Sequence, residues 1–145
     1  MKLIAFFLAL FSFTLSNACA EKAGYEEKLL AGLEAVNRRD ISAAREVFGR
    51  LLEVDPSRPE ALCGLAIAEI EASDYRAARE HLVAAIKQNA AYAQVYFLLG
   101  MVEEHLRNYR PAAEYYTRFI ELDSGTELRE RALMQLDYVR IKADE

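Results

Sequence analysis

Two histidines, two cysteines, six scattered glycines and no dense run of basic residues are all that 145 residues offer to metal, thiol, phosphate or nucleic-acid chemistry. His81 and His105 sit at no metal-ligand or base–nucleophile spacing to each other or to Cys63, so no metal centre and no catalytic pair is expected. Both histidines read as surface or groove residues. No glycine cluster forms a phosphate cradle between a strand and a helix. With a net charge of −5 and no basic patch, the chain lacks the counterions that bind a polyanion, which argues against nucleic acid. Acidic pairs such as Glu26-Glu27 and Glu103-Glu104 read as solvated helix faces rather than acid–base pairs. No cofactor and no enzymatic activity are expected.

What the sequence does have is apolar material, 53% of its residues, and part of it is concentrated at the start. Met1-Lys2 is followed by an apolar run from Leu3 to Phe11, and the small-x-small triplet Ala18-Cys19-Ala20 precedes the charged residues Glu21 and Lys22. One positive charge, a short apolar stretch and small residues at the end predict a secretory signal peptide over residues 1–20, recognised at Ala18 and Ala20 and cut before Glu21. The run is too short to span a bilayer comfortably. A second reading keeps Cys19 as a lipidated anchor. Ala18 fits that pattern, but Ser16 stands three residues before the cysteine, and Leu15 lies one place too far away. The expected location is the periplasm, at the outer membrane if Cys19 carries lipid, with secretion as a further option. Loss of Lys2 with the leader leaves 17 basic against 23 acidic residues, a net −6. Cys63 is then the lone thiol, read as a small apolar filler.

Beyond the leader, residues 21–145 are organised by a period. Gly32, Ala66 and Gly100 are spaced 34 apart; so are Ala44, Ala78 and Ala112, and so are Phe48, Leu82 and Tyr116. Leu51, Ala85 and Phe119 keep the same step on an apolar face, Asp40, Asp74 and Asn108 keep it at a turn, and Pro56, Ala90 and Ser124 at a helix end. An unbroken 34-residue period of this kind is the signature of a stacked helix–turn–helix unit. Two short helices approach closely where small residues face each other, which sets Gly32 against Ala44, Ala66 against Ala78 and Gly100 against Ala112. The large residues Phe48, Leu82 and Tyr116 then pack toward the next pair. Helix starts are read at Ser57-Arg58-Pro59-Glu60 and Ser124-Gly125-Thr126-Glu127, each a serine with a glutamate three residues on. The last stretch puts Leu128, Ala132, Leu136 and Val139 on one helical face, with Arg129, Glu130, Arg131, Asp137 and Arg140 around the rest. An array of repeats exposes the apolar face of its final pair, so this helix is expected as a lid. Half of a fourth repeat that docks a partner is the alternative.

From Tyr25 to Ser124 the chain resembles three tetratricopeptide repeats. The third carries the resemblance best: Tyr96, Leu99, Gly100, Ala112, Tyr116 and Phe119 fill that family's aromatic, leucine, glycine, alanine, aromatic and apolar slots in order. The chain departs at Ala35, Glu69 and Glu103, where an aromatic is usual, and at Lys28, where a large apolar residue is usual. The resemblance implies an all-α, right-handed superhelix with repeats at about 25–58, 59–92 and 93–126 and a capping helix at about 127–142.

It also implies a concave groove lined by the first helix of each repeat. Carried over slot by slot, repeat one contributes Leu29, Leu33 and Val36, repeat two Cys63, Ile67 and Ile70, and repeat three Phe97 and Met101, with Glu104 and His105 at the far rim. In the carboxylate-gripping subtype of the family, polar and basic residues stand where this chain has Leu29, Leu33, Gly64, Gln94 and Leu98. The expected ligand is therefore an apolar or amphipathic segment of another protein, held by an exported adaptor, scaffold or assembly factor. Lipidated at Cys19, the chain would resemble small outer-membrane lipoproteins of this family that aid assembly of pili or secretion pores. Self-association through the ends of the short array is a further expectation.

Overall fold

The computed structural model describes residues 21–123, 125 and 127–145. The leader reading, with Ala18, Cys19 and Ala20, lies outside the described residues. Among them there are helices and no strands: α1 (residues 21–37), α2 (Ile41–Val54), α3 (Pro59–Glu71), α4 (Tyr75–Gln88), α5 (Ala93–His105), α6 (Tyr109–Leu122) and α7 (Glu127–Ala143). Each consecutive pair packs as an antiparallel hairpin, α3 on α4 and α5 on α6, and α7 lies against α6. The result is a superhelix of three helix pairs closed by a seventh helix, with α1, α3 and α5 in one layer and α2, α4 and α6 in the other. No described helix is long and apolar enough to cross a membrane.

Turns between the paired helices recur with the period of the sequence. Asp40 and Asp74 cap α2 and α4, each carboxylate accepting from a backbone N–H at 3.1 Å, of Ala43 and Ala77 respectively. Capping satisfies donors that the first helical turn leaves free. Just before each cap, Arg39, Ser73 and Arg107 take left-handed backbone angles, with φ of 59°, 61° and 60°. They let Asp40, Asp74 and Asn108 donate back to the carbonyls of Ala35, Glu69 and Glu103 at 2.9, 2.8 and 2.8 Å. One expected start differs: α3 has no serine cap. The Ser57 hydroxyl donates to Asp55 at 2.6 Å instead, and Pro59 opens the helix, needing no N–H acceptor there. The matching motif at Ser124 and Thr126 lies outside the described residues.

Packing between pairs follows one rule at three junctions. A Cβ added to Gly32 would come within 2.6 Å of the Phe48 ring, and one on Gly64 within 2.3 Å. Phe48 is thus a wedge gripped by a glycine of its own repeat and a glycine of the next. At the second junction Leu82, a smaller wedge, is enclosed with Ala66, and Leu98 packs on that cluster. At the third, Tyr116 lies against Gly100, where a Cβ would fall 2.5 Å away, and shares a cluster with Ala132 of α7. An aromatic wedge goes with small neighbours and a leucine wedge with larger ones, as dense packing demands. The nearest atoms facing Gly32 and Gly100 are ring carbons, not the alanines opposite, so these glycines make room for the wedges.

Candidate partner-binding surface

On α1, α3 and α5 the residues assigned to the groove divide into two sets. Val36, Cys63 and Phe97 are buried. Phe97 packs edge-on against Tyr116 and tilted against Phe119, with ring centroids 5.8 and 5.3 Å apart, so its surface belongs to the core. Leu29, Leu33, Ile67, Ile70 and Met101 are half-buried. Each rests on a core cluster with one side and keeps the other side accessible. Spacings of three and four residues hold each helix's contribution to one face.

The rim is ordered by specific contacts. Glu104 accepts a hydrogen bond from the Tyr116 hydroxyl at 2.9 Å, and burial followed by the Glu104 charge raises the Tyr116 pKa above its ordinary value. His105 stacks on Tyr75 of the preceding repeat, with centroids 4.5 Å apart and planes 9° from parallel. Neither contact supplies a base to a nucleophile. Cys63 is a free, buried thiol, pushed up to about 12 by burial and then by the nearby Glu60 charge, so it stays protonated at neutral pH. Among the described residues no three His, Cys, Asp or Glu side chains come together to hold a metal ion.

At the α1 end of the face is a polar group whose role the sequence reading did not anticipate. Arg58 lies over the Tyr25 ring, 4.6 Å from its centroid, and is held there by Asp55 at 2.9 Å. The Tyr25 hydroxyl and Glu60 Oε2 are buried and make no hydrogen bond. Burial, then Glu60, raises the Tyr25 pKa. Tyr92 is pushed up to about 12 by burial, then by Cys63, Glu60 and Tyr25, so these groups gather in one place. The available signal was the period: Glu60 stands one full repeat after Glu26 and one before Gln94, on first-helix slots facing the same way.

A second correction concerns the acids. Glu103 is not on a solvated face: it and Glu69, at the slots where an aromatic was expected, are 4% and 6% exposed. Glu69 receives a two-pronged pair from Arg45 of the preceding repeat, at 2.9 and 2.5 Å. Glu103 is met by Arg79, which stands to it in sequence as Arg45 stands to Glu69, at 3.4 Å, and by the Asn108 amide at 2.7 Å. An ion pair between repeats has replaced the aromatic as the filler of that slot, with charge-assisted hydrogen bonds offsetting burial of the carboxylate.

Comparison with known proteins agrees with this architecture. A family profile described as "Tetratricopeptide repeat" matches residues 29–75 and 63–126. The small glutamine-rich tetratricopeptide repeat-containing protein 2 of Mycosarcoma maydis is 25% identical over 108 residues, which are 74% of this chain and 31% of that protein. The chain thus spans about a third of that relative's length. Among solved structures, the Sgt2 repeat domain from Aspergillus fumigatus is 23% identical, with a TM-score of 0.74 over 83% of this chain and 80% of that one. The Yersinia enterocolitica type III secretion chaperone SycD, in complex with a peptide of the translocator YopD, is 16% identical. Its TM-score is 0.74 over 81% of this chain and 93% of that one.

Proposed function

Since the chain belongs to the tetratricopeptide repeat family, a non-catalytic protein–protein interaction fold, we propose that it holds an apolar or amphipathic segment of a partner protein against the face formed by α1, α3 and α5. The observation that carries this reading is the accessible part of the stripe: Leu29, Leu33, Ile67, Ile70 and Met101 stay partly exposed beside the buried core of their helices. A row of partly accessible apolar side chains on one face is a candidate binding surface. SycD, of the same fold, takes a peptide of its translocator; here the occupant is an apolar segment rather than a terminal carboxylate, because Leu29, Leu33, Gly64, Gln94 and Leu98 offer no charge to grip one.

The test is the double variant Ile67→Glu, Met101→Glu, both positions being partly exposed. It is expected to melt within a few degrees of the native chain and to lose the polypeptide that co-purifies with it from an envelope extract. Retention of the same partner by the folded variant would refute the reading.

The leader features support a periplasmic location for this adaptor or assembly factor. Intact mass decides its form: a mature chain beginning at Glu21 floats free, a diacylated Cys19 hangs from the outer membrane, and an uncleaved Met1 removes the exported reading.

A further inference from the structure

We propose that the second junction, between α4 and α5, is a shear plane at which α1–α4 and α5–α7 slide past each other as two bodies. Contacts at the outer junctions fix an angle. At the first, the Phe48 ring of α2 stands against Gly64 of α3, and the Arg45 guanidinium takes both oxygens of Glu69, at 2.9 and 2.5 Å. A ring seated on a glycine cannot slide without backbone giving way, and a two-pronged pair holds one planar geometry. At the third, the Arg129 guanidinium of α7 donates to two carbonyls at the end of α6, those of Ile120 and Asp123. The Tyr116 and Phe119 rings are packed there in one cluster with Ala132, Leu136 and Val139.

The second junction fills space without such locks. Its wedge is Leu82, enclosed with Ala66 of α3 and with Val95, Leu99 and Val102 of α5, and aliphatic burial is non-directional. Its ion pair is one-pronged: Arg79 reaches a single oxygen of Glu103, at 3.4 Å, while the Asn108 amide takes the other at 2.7 Å from within the same repeat. Its aromatic contact is the flat stack of His105 on Tyr75, with planes 9° from parallel, so one ring can glide over the other.

The period traces the thinner ion pair to one residue. Asp74 caps its helix with its carboxylate and leaves both oxygens of Glu69 to Arg45. Asn108 stands in the same slot one period on, makes no side-chain cap, and gives its amide to Glu103. Shear of packed helices is a sliding of this kind between surfaces that stay in contact. The plane crosses the face of the first layer: Ile67 and Ile70 on α3 move with one body and Met101 on α5 with the other. On the partner-binding reading proposed above, the slide sets the width offered to a partner; the slide itself does not depend on one.

The experiment is methyl relaxation dispersion on the intact protein with no partner added, which reads exchange between conformers on the μs–ms scale. Methyls of Leu82, Val95, Leu99 and Val102 are expected to exchange with one shared rate, as a concerted slide requires. Those of Leu51, Ala61 and Ala68 at the first junction, and of Ala132, Leu136 and Val139 at the third, are expected to give flat profiles. Asn108→Asp, at an exposed position, reproduces the arrangement around Glu69 and frees the second Glu103 oxygen for Arg79. It should cut the exchange contribution at the second junction by about threefold, and Asp74→Asn should introduce exchange at the first. Exchange spread evenly over the three junctions, unrelated rates at the four methyls, or exchange that Asn108→Asp leaves unchanged would overturn the proposal. Any of these would leave the groove reading standing, because that reading is decided by partner recovery with the Ile67→Glu, Met101→Glu variant.

Discussion

The two helix layers follow different rules although they share one period. Second helices are sharply two-sided, each burying a stripe of three: Ala44, Phe48 and Leu51 in α2, Ala78, Leu82 and Ala85 in α4, Ala112, Tyr116 and Phe119 in α6. First helices α3 and α5 are apolar around most of their circumference. In α3, Pro59 and Ala61 through Gly64 are buried with Ala66, Ala68 and Glu69, and what remains accessible still includes Leu65, Ile67 and Ile70. A helix with little polar face either lies in the middle of a core or has a side waiting for something else. The second layer therefore holds the array together, and the first layer both receives its wedges and presents the surface left over.

The largest effect should come from breaking the joint between layers. Gly64→Ala drives a methyl into the Phe48 ring and is expected to cost about 3 kcal/mol in urea unfolding. The triple change Gly32→Ala, Phe48→Leu, Gly64→Leu installs at the first junction the set found at the second, Ala66, Leu82 and Leu98, and should return stability to within about 1.5 kcal/mol of native. Next is the ion pair between repeats. Arg45→Ala strands the buried Glu69 carboxylate and should lower the urea midpoint. Arg79→Ala should lower it about half as much, because Glu103 keeps the Asn108 amide; equal losses would mean that the second donor contributes nothing. Smaller and of opposite sign, Arg39→Gly, Ser73→Gly and Arg107→Gly each relieve a left-handed turn and should add about 0.5–1 kcal/mol. The smallest effect separates the buried from the accessible part of the first layer: with the Cys63 thiol raised to about 12, labelling by a thiol reagent at neutral to mildly alkaline pH should track unfolding and not thiolate formation.

Much of this was legible because the period is a property of residue type. Gly32, Phe48, Ala78 and Tyr116 announce the slots, and the slots announce the helix pairs. The candidate surface was only half legible. Leu29 and Val36 share a face of α1 by spacing alone, but which of them a neighbouring helix covers depends on how far each pair rotates, and no single helix encodes that. Phe97 read as a groove residue for the same reason, until Tyr116 and Phe119 enclosed it. Glu69 and Glu103 looked like departures from the pattern because their arginines stand in the preceding repeat, on the other side of a repeat boundary. The exposed apolar residues of α7, Leu133, Met134, Tyr138 and Ile141, were hidden by the charged residues interleaved with them.

The claim that the first layer is the holding surface is tested most directly by a photo-crosslinking amino acid placed at one position per layer, Ile67 on α3 and the exposed Glu80 on α4, in cells that express the chain. The account predicts one discrete heavier adduct from Ile67, abolished by Met101→Glu, and none from Glu80. Adducts of equal yield at both positions, or an adduct at Glu80 alone, would contradict it.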